Sequence, residues 1–155
     1  MFTPRRETKS RIEALRHISL FADCTVDELA RIDRLGTRID VQPSRVLTRE
    51  GQFGRQCFVT LDGVALAERA GQPIGVIGAG SIAGEMALLD QTRRNATVVA
   101  ESPMRLLVLT PHEFRELLDV APCVKACLDR IVSERQAALD AHPTGGFSIA
   151  PGGGA

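Results

Sequence analysis

Between Gly78 and Ala100 the chain reads Gly-Ala-Gly-Ser-Ile-Ala-Gly-Glu-Met-Ala-Leu-Leu-Asp-Gln-Thr-Arg-Arg-Asn-Ala-Thr-Val-Val-Ala. The order is a strand, a glycine turn, one or two turns of helix, an arginine pair and a further strand. The chemistry this order offers is anion binding. The first turn of a helix has unpartnered backbone N–H groups and roughly half a positive charge, so it attracts anions. Gly84 has no side chain to hold a ligand off that backbone. Arg94, at the far end of the segment, could pair with the same anion through its guanidinium fork. Glu85 has no obvious lysine neighbour. A carboxylate only accepts hydrogen bonds, which suits a ribose hydroxyl better than a phosphate.

Other side chains capable of chemistry are dispersed. His17, His112 and His142 fall on separate elements, whereas a metal-dependent oxygenase needs clustered histidine and carboxylate ligands. Cys123 and Cys127 stand at i, i+4 on an expected helix and could offer two metal ligands. No second pair or nearby histidine completes a site, so they read as thiols on a helix face. Cys57 beside Phe58 reads as strand core. No Ser-His-Asp or Cys-His arrangement presents a nucleophile. The sequence therefore predicts no catalytic residues and no metal.

The elements that must position this segment follow from periodicity. Ile12, Leu15 and Ile18 predict a helix from Lys9 to His17, followed by a turn carrying Leu20 and Phe21. Thr25 and Glu28 form a capping box ahead of the stripe Val26, Leu29, Ile32 and Leu35, which ends at Gly36. From Thr37 the period becomes that of strands. Apolar alternation around Ile39 and Val41, Val46–Thr48, Cys57–Leu61, Val64–Glu68, Ala96–Ala100 and Arg105–Leu109 is broken by glycine turns. Seven or so short strands with turns every 8–12 residues predict a jelly-roll barrel or sandwich with flanking helices. Thr110 and Glu113 make a second capping box with Pro111 at the first helical position. Pro122 opens a last helix reaching about Leu139. Its stripe of Val124, Leu128, Ile131, Arg135 and Ala138 steps 4-3-4-3, as either a barrel-packing face or a homodimer seam would.

With 155 residues, one domain is expected. The expected layout is a flexible N-terminus at 1–8, one domain over 9–142, and a disordered Gly-rich tail at 143–155. Nineteen basic and nineteen acidic residues cancel, so the totals show no basic nucleic-acid stripe. The absence of Trp and Tyr leaves little to stack on single-stranded nucleic acid. No apolar run approaches the ~18–20 residues of a membrane span, and Met1–Ser10 lacks an apolar signal core. Four cysteines without CxxC spacing fit a reducing compartment, so the cytoplasm is expected.

Gly84-Glu85-Met86-Ala87-Leu88-Leu89 followed by Arg94-Asn95-Ala96-Thr97-Val98 resembles the phosphate-binding cassette of the cyclic-nucleotide-binding domain family. That family includes catabolite-activator-type regulators, protein kinase A regulatory subunits and cyclic-nucleotide-gated channels. Its cassette runs Phe-Gly-Glu-x-Ala-Leu, a few residues, then Pro-Arg-(Ala/Ser/Thr)-Ala-Thr-Val. The resemblance covers about residues 10–140. It takes in Leu20-Phe21, Glu28-Leu29, Val46-Leu47 with Glu50-Gly51, Cys57-Phe58-Val59 with Gly63, and Glu113-Phe114.

Position by position, the resemblance implies that Arg94 pairs with the cyclic phosphate and Glu85 accepts from the ribose 2′-hydroxyl. Gly84, Met86 and Ala87 would turn backbone groups to the sugar-phosphate, and Asn95 would meet the phosphate or purine. Val76 or Ile77, with Val98, would line the base. Arg135 and Leu139, within the stretch Arg130–Leu139, would form a lid on the last helix. Four positions depart from the pattern: Ala83 replaces an aromatic, Arg93 a proline, Asn95 a small or hydroxyl residue, and Pro43-Ser44 a glycine turn. In the family, threonine at the position of Asn95 tends to accompany guanine, and alanine or serine adenine. The resemblance thus implies a non-enzymatic sensor of 3′,5′-cyclic AMP, with cyclic GMP the alternative. Its partner would be an effector protein, and its ligand the nucleotide rather than a cofactor. Two other readings are a ligand-free interaction module on the same fold, and the regulatory part of a transcription regulator. Residues after Leu139 are too few for a helix-turn-helix, so DNA binding by this chain is not expected.

Overall fold

Two strands near the centre of the chain are apolar on both faces, and the layering follows from them. The computed structural model describes residues 4–84 and 93–141. Two strands, β3 (Cys57–Asp62) and β8 (Met104–Leu109), lie side by side. Successive side chains of a strand point to opposite faces. Met104, Leu106, Val108 and Phe58 therefore enter one core, and Leu107, Leu109, Cys57 and Val59 another. The first core is the interior of the barrel. The second lies between the outer face of the sheet and a layer of helices.

The other strands are β1 (Thr37–Val41), β2 (Val46–Thr48), β4 (Ala65–Arg69), β5 (Gln72–Ile77), β6 (Ile82–Ala83) and β7 (Thr97–Ala100). They form two four-stranded antiparallel sheets, ordered β1-β8-β3-β6 and β2-β7-β4-β5. This is the expected jelly-roll. Two strands, β5 and the two-residue β6, fall where the glycines obscured any alternation. A two-residue turn joins β4 to β5. Ala70 and Gly71 both take positive φ there, 53° and 79°, as a right-twisted hairpin requires.

The helical layer comprises α1 (Pro4–Arg16), a 3₁₀ turn (Ser19–Phe21), α2 (Val26–Asp33), α3 (Pro111–Val120) and α4 (Pro122–Ala141). The first helix starts at Pro4 rather than at the expected Lys9. Proline is well tolerated in a first helical turn. Both capping boxes form. Thr25 Oγ1 accepts from Glu28 N while Glu28 returns the bond, and Thr110 and Glu113 repeat the pattern. Glu113 also accepts from Gly36 N at 3.1 Å, which ties α3 to the end of the first helical pair. The Thr110 amide, then the Gly36 amide, hold its carboxyl below the usual range. Leu29 and Ile32 are buried as expected, but Val26 is 52% exposed because it sits on the outer side of the first turn. Among the described residues, no helix is long and apolar enough to cross a membrane. The tail expected at 143–155 lies outside the described residues.

Candidate functional site

Arg94 precedes β7, and its backbone is fixed before its side chain matters. Its N–H donates to Gln52 O, and its carbonyl accepts from Gly51 N at 2.9 Å. These bonds aim the side chain inward, where the residue is only 8% exposed. Charge is seldom placed so deep without partners. Nη1 donates to Gly84 O at 3.0 Å and Nη2 to Gln56 O at 2.6 Å. The guanidinium plane is thus held between the end of β6 and the start of β3, with charge-assisted bonds at both points.

Gly84 makes this approach possible. Its φ is +86°, and a Cβ there would stand 2.5 Å from Arg94 Nη1. A side chain at 84 would be strained in the left-handed region and would collide with the guanidinium. The glycine and the arginine that the sequence reading paired are therefore in contact.

Beside them lies a cleft of about 200 Å³. Gly84, Arg94 and Asn95 form one side of it. Val76, Ile77 and Val98 supply apolar wall, and Arg135 and Leu139 reach it from α4. Every anticipated position that is described therefore borders one cavity. Ile77 and Val98 are buried at 7% and 4%, whereas Val76 is 69% exposed at the rim. A mainly apolar hollow with a few convergent polar groups is the usual form of a small-molecule site. Glu85, Met86 and Ala87, with the expected cassette helix, lie outside the described residues.

The last helix closes the cleft. Val124 and Leu128 are buried in the chain's own helical core, Ile131 packs against it, and Ala138 faces the cleft. Arg135 Nη2 donates to Ser81 Oγ at 3.1 Å, just ahead of β6. The 4-3-4-3 stripe thus faces the helical core at one end and the cleft at the other. Arg135 interrupts the apolar pattern because it faces a polar turn.

Two departures from the family pattern acquire a structural account. Arg93 is exposed, donates to Gly51 O at 2.8 Å and lies over the Phe53 ring at 4.2 Å. It latches the 51–53 turn rather than adding a second charge to the cleft. Ser44 holds the glycine-like conformation at φ +77° and donates its N–H to Ala100 O. Asn95 O accepts from Arg69 Nη1 at 3.1 Å, so β4 steadies the residue after Arg94.

Some residues of the site gave no sequence signal. Gln56 contributes only a carbonyl, which any residue could supply, and its proximity arises from β3 pairing with β6. Thr48 is buried, lines the cleft and donates to Ala96 O at 2.9 Å. Alternation within β2 was its only clue.

The sequence profile of the cyclic nucleotide-binding domain family matches residues 38–120. The human potassium/sodium hyperpolarization-activated cyclic nucleotide-gated channel 4 is 30% identical over 94 residues, covering 61% of this chain and 8% of the channel. The chain thus spans a small part of that relative. Among solved structures, cAMP-bound PfPKA-R superposes with a TM-score of 0.79 at 24% identity, over 88% of this chain and 47% of that one. The catabolite activator protein of Thermus thermophilus does so with a TM-score of 0.69 at 24% identity, over 79% of this chain and 60% of that one. Both likenesses are of fold. The profile match runs from β1 to the end of α3, more than half of the residues, and on that ground the chain belongs to the cyclic nucleotide-binding domain family.

Proposed function

We propose that the chain is a sensor of 3′,5′-cyclic AMP that binds its ligand without turning it over and passes the change to a protein partner in the cytoplasm. The observation that carries this reading is the Arg94 guanidinium, buried against Gly84 at the wall of a cleft. A cation there is screened little by water, so an incoming phosphodiester gains more from it than from a surface arginine. Gly84 and the backbone of residues 85–87 meet the sugar-phosphate, Glu85 accepts from the ribose hydroxyl, and Asn95 adds a polar contact beside Arg94. The purine lies against Val76, Ile77 and Val98. A structural neighbour bound to cAMP supports the choice of nucleotide.

The signal travels through α4. Arg135 and Leu139 touch the cleft at one end of this helix, and Val124 and Leu128 anchor its other end in the core. A ligand that fills the cleft favours the arrangement in which the helix covers it. It shifts the population only by its preference for that arrangement over an open one. The effector reads the position of α4.

Calorimetric titration of cyclic AMP and cyclic GMP into the wild type and Arg94→Ala tests this. The wild type binds cyclic AMP saturably and more tightly than cyclic GMP. Removing one member of a desolvated charge pair costs about 3–5 kcal/mol, on the order of 100- to 1000-fold or more in affinity. Equal binding by both proteins places the anion elsewhere. No binding by the wild type leaves the fold as a ligand-free interaction module.

A further inference from the structure

The fold brings together two cysteines that are 99 residues apart. Cys24 lies in the turn ahead of α2 and Cys123 in the first turn of α4, with their sulfurs 3.5 Å apart. Glu28, on α2, adds a carboxylate oxygen, and the three ligand atoms all lie within 4.8 Å of one another. The sequence offered only Cys123 and Cys127 as a pair, one helical turn apart. The structure instead sets Cys123 beside Cys24 and Glu28.

We propose that Cys24, Cys123 and Glu28 form a binding site for a thiophilic divalent cation of the zinc class. Spacing is the first reason. Two thiolates at ~2.3 Å from one tetrahedral ion stand ~3.8 Å apart, whereas disulfide sulfurs are ~2.05 Å apart. The observed 3.5 Å, a thiol–thiol contact, needs only about 0.3 Å of movement to reach the first value. Ligand type is the second. Two sulfurs and one carboxylate select zinc-like ions over calcium or magnesium, which take oxygen ligands throughout. The third is orientation. Glu28 is already held, its Oε1 accepting from Thr25 N at 2.8 Å, as outer hydrogen bonds hold metal-binding carboxylates.

A thiol that binds a divalent cation gives up its proton, so the ion and the two sulfurs neutralise one another. Three protein ligands leave a fourth position for water. The ion joins the turn at Cys24 and α2 to the first turn of α4, the helix that carries Arg135 and Leu139 to the cleft.

Cobalt(II) is the probe. The whole chain, reduced with a phosphine and freed of metal by chelation, is titrated with Co²⁺. One equivalent produces a thiolate-to-cobalt charge-transfer band, and equimolar Zn²⁺ bleaches it and raises the unfolding temperature. Cys24→Ser and Cys123→Ser each abolish the band. Glu28→Gln keeps the helix cap but weakens binding, and Cys127→Ser leaves the band unchanged. Far-ultraviolet circular dichroism confirms that the variants fold. The proposal fails if the wild type gives no band, or if the band survives Cys24→Ser and vanishes in Cys127→Ser. It fails equally if the wild type gives no band while peroxide readily joins Cys24 to Cys123 as a disulfide.

Discussion

Replacing Gly84 with alanine tests whether the glycine turn and the buried arginine act as one device. The backbone at 84 has φ +86°, a region that costs an L-residue roughly 1–2 kcal/mol. The new Cβ would stand 2.5 Å from Arg94 Nη1 and 3.1 Å from Gln56 O. The guanidinium must withdraw, and its bonds to Gly84 O and Gln56 O cannot both survive. Hydrogen bonds to charged groups contribute about 1.5–3 kcal/mol each. Losing one of them on top of the backbone cost gives a destabilisation of about 2.5–5 kcal/mol. A domain of ordinary stability, about 5–15 kcal/mol, stays folded in most of that range. Urea unfolding reads the stability, and calorimetry with cyclic AMP reads the site. Affinity falls at least about 10-fold, because a displaced guanidinium forfeits more than ~1.4 kcal/mol of phosphate pairing. Gly78→Ala is the control: nothing lies within 4 Å of its added Cβ and its φ is not positive, so its stability stays within about 1 kcal/mol of wild type. A Gly84→Ala protein that unfolds at the wild-type urea concentration and binds like wild type would refute the contact between residues 84 and 94.

Arg135→Ala removes the bond to Ser81 Oγ and part of the cleft wall; loss of about 1.5 kcal/mol weakens cyclic AMP binding roughly 10-fold in calorimetry. Asp33 accepts from Arg11 and Arg38, with its side chain 3% exposed. Burial pushes its carboxyl up, but the two guanidinium groups outweigh that and hold it below the ordinary range. Its contribution is therefore present above the unfolded value of about 3.9 and is lost as pH falls through the lower folded value. Asp33→Asn should cost about 1–3 kcal/mol near neutral pH, and urea unfolding across pH should show the gap closing in acid. Ser44→Gly relieves a positive φ of 77° at an exposed turn; set against glycine's larger unfolded entropy, the net gain is up to about 1 kcal/mol, measured by thermal unfolding.

What could be read from the residues was what depends on near neighbours. Thr25 with Glu28 and Thr110 with Glu113 are three apart, and both boxes form where the spacing put them. Gly84 and Arg94 bracket one short segment, so their meeting followed from a local pattern. Strand β8 was legible because its apolar run, Leu106–Leu109, is buried on both faces. Where glycine dilutes the pattern, as in β5 and β6, the strands were hidden until their partners were known. Arg135 looked like an interruption because periodicity does not say what faces a helix; the answer, Ser81, is 54 residues away. The Cys24–Cys123 contact and the role of Gln56 O are likewise products of strand and helix packing, with no trace in local spacing.

A crystal structure of the whole chain grown with 3′,5′-cyclic AMP is the most direct measurement. The nucleotide should lie in the cleft between β5, β7 and α4. Its cyclic phosphate should accept from the Arg94 guanidinium at about 2.7–2.9 Å, and its purine should sit beneath Arg135 and Leu139. Nucleotide density elsewhere, or a cleft left empty with Arg94 still bonded to the Gly84 and Gln56 carbonyls, would contradict the claim that one buried arginine makes this fold a cyclic-nucleotide receptor.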